Sequence, residues 1–130
     1  MKHGQRDKRK SQETAIDSID VLGVRLAHFV KERDWDQFHS PKNLAMAVAA
    51  EAGELLEHFQ WLTPEESSRL SDEVLSEVEL EMADVLMFLV RLSDKLGINL
   101  HAAAEKKLAI NASKYPVEKA KGRATKYTKL

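Results

Sequence analysis

Apolar residues recur at helical spacing along most of this chain, and no stretch shows the period-2 alternation of a strand. Ile19, Leu22, Leu26 and Phe29 mark a first helix over about residues 16–32. Residues 33–40 break that period and gather Trp35, Phe38 and His39 into a loop. Ser40 then reads as an N-cap with Pro41 at the first helical position, opening a second helix that ends near residues 59–62. Its stripe is Leu44, Val48, Leu55 and Leu62, which fall within about 40° of one another on a helix. Thr63, Pro64, Glu65 and Glu66 read as a capping box, predicting a short helical piece over 64–70. Ser71, with Asp72 and Glu73 in the following turn, starts a third long helix that runs to about Leu96. Its seam is Val78, Met82, Val85, Leu89, Leu92 and Leu96, and its centre, MADVLMFLV, is apolar nearly all round. Such a helix belongs in the middle of a bundle or between subunits. Gly97 ends it, and Asn99 caps a fourth helix that reaches Lys114 before Tyr115 and Pro116. The expected fold is all-α: four main antiparallel helices plus a short connecting helix.

Four acids interrupt this pattern. Glu51 sits in the middle of the second helix's apolar stripe, and Glu54 lies one turn on along its flank. On the third helix Glu81 falls inside the apolar arc and Asp84 at its edge. Burying a carboxylate without a partner costs several kcal/mol or forces it to hold a proton. Packed side by side, the two helices would aim all four acids into one cavity. A carboxylate-only set suits a hard cation, Mg²⁺ or Mn²⁺. Glu57, Glu73 and Glu79 read as solvated surface acids, and His58, on the face of Glu51, as a core histidine.

Composition narrows the possibilities. At 130 residues, 43% apolar and 32% charged, the chain suits one globular domain. With no Cys, disulfides, thiolate metal sites and cysteine nucleophiles are all excluded, which suits a reducing compartment. The start is basic without a following apolar h-region, and no apolar run is long enough for a membrane span, so a cytoplasmic protein is expected. Residues 1–10 carry five Lys/Arg against one Asp, and residues 117–130 five against one Glu. Between them lie ten basic and nineteen acidic residues, a balance that argues against a nucleic-acid face. Residues 1–12 read as a disordered basic tail, 13–116 as the helical domain and 117–130 as a second basic tail.

Trp35 and Trp61 flank the two ends of the carboxylate helix. With Phe38 and His39 they could pack as core or stack a nucleobase at the cavity mouth. Lys107, Asn111 and Lys114 share one face of the fourth helix, either solvated or placed to neutralise phosphate oxygens.

Glu51 and Glu54 (EAGE), a gap of 26 residues, then Glu81 and Asp84 (EMAD) resemble the ExxE…ExxD signature of the MazG-like, all-α nucleoside triphosphate pyrophosphohydrolases. The chain is most similar to their dCTP pyrophosphatase branch, through ERDWDQFHSPKNL, EAGELLEHFQW, ADVLMFLV, the K…N…KYP run at 107–116 and the terminal KYTKL. The resemblance covers about residues 19–130. It implies Mg²⁺-dependent hydrolysis of a dNTP, dCTP or a modified dCTP, to dNMP and pyrophosphate, in nucleotide-pool sanitation. Glu51, Glu54, Glu81 and Asp84 match the family's metal ligands and catalytic acids. Trp35, Phe38, His39 and Trp61 match its base-binding segments, Lys107 and Asn111 its phosphate side, and Phe88 is a further substrate-binding candidate. It also implies a homo-oligomer, a dimer or a homotetramer, with sites built at subunit contacts and the C-terminal tail closing on the site or a neighbouring subunit.

Some positions depart from the family. Leu55 stands where many relatives carry a further Glu, as in the dCTP branch. Phe88 stands where animal members are expected to carry Tyr, and Leu26 where a His is expected to contact the nucleotide. A hydroxyl and an imidazole are thereby lost, which leaves strict cytosine selectivity open. The rivals are a dUTPase-like or broad-specificity pyrophosphohydrolase with the same acids and a non-catalytic Mg²⁺-binding helical oligomer.

Overall fold

The computed structural model describes residues 18–130, which are all-α with no strand. The basic tail expected at 1–12 and the first residues of the first helix, 16–17, lie outside the described residues. The chain divides at Gly97 into two compact units. In the first, α1 spans Ile19–Glu32, α2 Pro41–Glu57, α3 Pro64–Ser67 and α4 Asp72–Leu96, with a 3₁₀ turn at Asp36–Phe38. The second, Ile98–Leu130, holds α5 at Leu100–Lys114, α6 at Val117–Ala120 and a 3₁₀ turn at Tyr127–Lys129.

Helix boundaries follow side-chain capping. Ser40 Oγ accepts from the Asn43 amide at 3.1 Å and starts α2. Thr63 and Glu66 form the reciprocal capping box that opens α3, and the same bonds hold the Glu66 carboxyl below the usual range. Ser71 accepts from Val74 and Asn99 from Ala102, opening α4 and α5. Gly97 ends α4 at φ 65°, a left-handed conformation that favours glycine. The second helix stops at Glu57, a little short of the expected 59–62, because the chain then tightens into three-residue turns, His58 N–H to Leu55 O, Phe59 N–H to Leu56 O and Leu62 N–H to Phe59 O. The end of α1 hides a Schellman motif without glycine. Trp35 N–H reaches Val30 O and Asp34 N–H reaches Lys31 O, with Asp34 left-handed at φ 56°.

In the first unit α4 carries the contacts. It runs antiparallel to α2: Glu51 meets Glu81 and Asp84 at one level, and His58 meets Glu77 further down. Its other covered face meets α1, where Gly23 approaches Val90. Among the described residues, Val30, Leu44, Val78 and Val90 are the buried apolar ones. The expected seam is therefore only partly internal. Val78 is buried, whereas Met82, Leu89 and Leu96 are exposed. A helix apolar nearly all round cannot be covered by the two neighbours it has here. In the second unit the C-terminal residues fold back on α5: the Tyr127 ring packs edge-on against Tyr115, with Lys114 Nζ 4.5 Å from its centre.

Candidate active site

The second helix's stripe carries Glu51 to α4 because Leu44 and Val48 on the same stripe are drawn inward. Oxygens of Glu51, Glu81 and Asp84 lie within 4.8 Å of one another. Glu51 and Glu81 each turn one buried oxygen, Oε2, toward no hydrogen-bond donor. Glu54, itself exposed, stands close enough to both to share a proton with either. Burial, then the hydrogen bond and charge of Glu54, then the charges of Asp84 and Glu81 push the Glu51 carboxyl up to about 7. Burial first and Glu54 second raise Glu81 as well. Removing water from carboxylates and crowding them both disfavour the charged form. His58 stands 3.9 Å from Glu81 and 3.8 Å from Glu77, so the histidine read as core borders the acid cluster. Glu54, Glu57, His58, Glu77 and Glu81 line a cleft on that side, which brings Glu57 nearer to the site than a plain surface acid.

These acids fit a divalent metal. Three carboxylate oxygens converge without a basic side chain between them, and two of the acids have orphaned oxygens that a cation would satisfy. Mg²⁺ binds oxygen at about 2.0–2.1 Å, so ligand oxygens on one ion lie at most ~4.2 Å apart, a small contraction from the spacing here.

Asp84 also borders a cavity of about 500 Å³ between α1, α4 and the loop that joins α1 to α2. Trp35, His39 and Phe88 line it, together with Leu22, Leu26, Phe29, Met87 and Arg25. Trp35 and His39, from the matched base-binding segments, and the substrate-binding candidate Phe88 thus face one pocket. Phe38, 59% exposed, and Trp61, 86% exposed, are outside its lining. The loop is tied at several points. Phe29 meets Trp35 edge-on at 5.8 Å, Asn43 donates to Phe38 O, and Gln37 donates to Asp34.

Sequence reasoning did not find the residue that anchors this loop. Arg91, only 5% exposed, pairs with Asp36 and Asp94 at 3.1 Å each and reaches His39 Nδ1 at 3.5 Å. Lys95 pairs with Asp36 at 2.6 Å, and this bond leads the effects that hold the Asp36 carboxyl below its ordinary range. The one available signal was Arg91 itself, a cation directly after the apolar run on α4. Lys107, exposed, and Asn111, half-buried, lie on α5 in the second unit.

The MazG-like family model matches residues 46–130. The chain belongs to the MazG-like family. Relatives named dCTP pyrophosphatase 1 from Bos taurus and Homo sapiens are each 41% identical over 80% of this chain, and one from Mus musculus is 38% identical over 94%. The chain spans 63% of the length of the bovine relative, 62% of the human one and 71% of the mouse one. A crystal structure of a pyrophosphatase from Archaeoglobus fulgidus matches with a TM-score of 0.67 and 41% identity, over 70% of this chain and 85% of that one. The all-α architecture is thus that of a MazG-like protein. Among the described residues, no helix is long and apolar enough to cross a membrane.

Proposed function

We propose that this MazG-like protein is a divalent-metal-dependent nucleoside triphosphate pyrophosphohydrolase. It converts a dNTP, with dCTP or a base-modified dCTP as the first candidate, to dNMP and pyrophosphate. One observation carries the reading above the others: Asp84 belongs both to the carboxylate cluster and to the wall of the aromatic pocket. A nucleotide whose base enters that pocket has its phosphates directed to the acids. The names of the relatives support the same activity.

Glu51, Glu81 and Asp84, with Glu54 beside them, would hold Mg²⁺ or Mn²⁺. A bound ion supplies neutralisation of the triphosphate's charge and a lowered pKa for the attacking water. Glu54, the most exposed of the four, positions that water and accepts its proton. The water oxygen bonds to the α-phosphorus in line with the departing bridge oxygen, the bond to that oxygen breaks, and pyrophosphate leaves. Trp35, His39 and Phe88 enclose the base. Phe38 and Trp61, exposed in the single chain, are left to close the rim or a neighbouring copy's site. Lys107 and Asn111 serve the phosphate side, and residues 117–130 close over the site or a neighbouring subunit. The exposed apolar residues of α4, Leu80, Met82, Leu86 and Leu89, support a homo-oligomer, a dimer or tetramer. A cytoplasmic location and a role in clearing the nucleotide pool complete the reading.

A broader specificity has its own support. Leu26 and Phe88 both line the pocket, and neither offers a hydrogen bond to a base edge. A panel of dNTPs, dUTP and base-modified dCTPs with Mg²⁺, followed by product analysis, tests both readings. Release of dNMP with pyrophosphate is expected. Release of dNDP with inorganic phosphate would move the attack away from the α-phosphorus. Metal binding without turnover or binding of any nucleotide would leave a non-catalytic scaffold.

A further inference from the structure

We propose that Arg91 is the positioning residue of the base pocket. It pins loop 35–39 to α4 and, by using His39 Nδ1 as an acceptor, leaves His39 Nε2–H as a donor to a carbonyl oxygen or ring nitrogen of a pyrimidine base. This inference deepens the pyrophosphohydrolase reading and rests on it for the identity of the ligand.

Among the described residues Arg91 is the one buried charged residue, and a buried cation is stable only when its donors are met. Its fork is spread over three partners: Nη2 to Asp36 Oδ1, Nη1 to Asp94 Oδ2, and Nε to His39 Nδ1. Two of these lie on the loop that carries Trp35, so Arg91, with Lys95 beside it on Asp36, sets that wall's distance from α4. Asp84 stands seven residues earlier on the same helix, two turns away on the same face. A rigid helix therefore ties the base wall to the carboxylates.

The tautomer follows from the donor inventory. A guanidinium offers N–H groups only and cannot accept, so the ring nitrogen facing Arg91 Nε is unprotonated. The charged groups facing His39 are Arg91, Lys95 and Asp36. Burial first, then Arg91 and, more weakly, Lys95 hold the imidazole below its ordinary value, against the opposite pull of Asp36. The ring is neutral near pH 7, and its one proton sits on Nε2. Among the described residues that nitrogen makes no hydrogen bond, while His39 lines the cavity. Most of the remaining lining is apolar, so a base that presents an acceptor there gains a bond that a base without one lacks.

Long-range proton–nitrogen NMR of the His39 ring in the full chain, assigned against His39→Gln, reads the tautomer directly. The expected result at pH 7 is a bare Nδ1 and a protonated Nε2, shifting to a mixture in Arg91→Lys, which lacks the planar fork. A proton on Nδ1 in the unsubstituted chain overturns the assignment, whether or not any nucleotide is hydrolysed. With the tautomer as expected, steady-state kinetics on dCTP and Mg²⁺ complete the test. His39→Leu should raise KM about five- to tenfold, the effect of one lost hydrogen bond, with kcat falling less than KM rises. His39→Gln, whose amide N–H group can take the place of Nε2–H, should recover most of that loss, and Arg91→Lys, which keeps part of the donor tautomer, should raise KM by less than His39→Leu does. A KM for His39→Leu no higher than for His39→Gln overturns the donor role. An unsubstituted chain that binds and turns over no nucleotide overturns the pyrophosphohydrolase reading and the base role together, but not the tautomer.

Discussion

The crowded acids would make binding of a divalent metal a proton-exchange reaction, and its size can be worked out. Glu51 rises from its ordinary 4.5 to about 7 in the folded chain, chiefly through burial and then through Glu54. Folded protein therefore holds more protons than unfolded protein between those two values, and the metal-free chain loses stability as pH rises through that window. A divalent ion must displace the proton. At pH 6 the free site carries ~0.9 proton on this group and at pH 8 ~0.1, so apparent Mg²⁺ affinity should rise about tenfold between them. Glu81 is raised too, so the proton belongs to the cluster, and total release at pH 6 can exceed that of Glu51 alone. Isothermal titration of Mg²⁺ at pH 6, 7 and 8, in two buffers of different ionisation enthalpy, gives both affinity and proton release. Thermal unfolding with and without Mg²⁺ gives the stability side, with the ion's stabilising effect growing toward pH 8. Proton-silent binding at pH 6, with an affinity flat to pH 8, would refute the reasoning.

Glu51→Gln removes a buried charge with an orphaned oxygen, so it should raise the melting temperature of the metal-free chain at pH 8 while lowering turnover at least about a hundredfold. Asp84→Asn should lose turnover similarly with its helical circular dichroism intact, and undiminished activity in either variant would count against the assigned ligands. Asp34→Ala should cost about 1 kcal/mol in urea unfolding, since alanine is strained at φ 56° and loses the Gln37 contact, whereas Asp34→Gly should cost less. Leu44→Ala, at a site only 1% exposed on the inward face of the carboxylate helix, should cost about 2–5 kcal/mol by the same measurement.

Much of this arrangement is legible in the sequence, because it is local. Ser40, Thr63, Ser71, Asn99 and Gly97 announce helix ends through bonds that span three or four residues, and each does so in the structure. The acids stand out for a similar reason. Glu51 and Glu81 break an apolar stripe at positions that helical periodicity alone identifies, and those two carry the orphaned oxygens. The turn at Asp34 escaped notice because its Schellman motif uses Asp where glycine would have marked it. His58 escaped because periodicity places it on an inward face but not opposite Glu81.

What periodicity cannot reveal is the partner of a charge across the fold. Arg91 meets Asp36 and His39 over 55 and 52 residues of sequence, and in the chain it is one more cation following an apolar run. Met82 and Leu89 show the complementary gap. Their apolar character is correct for the helix, yet the single chain leaves them exposed, since hydropathy specifies that a face be covered without specifying by what. The two gaps fall on the same helix. Along α4 the acids are legible, the anchor of the base wall is not, and the apolar flank between them points out of the chain. The acid cluster is thus encoded locally, whereas the anchor of the loop and the cover of the apolar flank depend on contacts between distant segments. Exchanges that alter substrate preference without loss of hydrolysis should accordingly concentrate on Arg91, His39 and the residues facing them, and those that disrupt assembly on Met82 and Leu89.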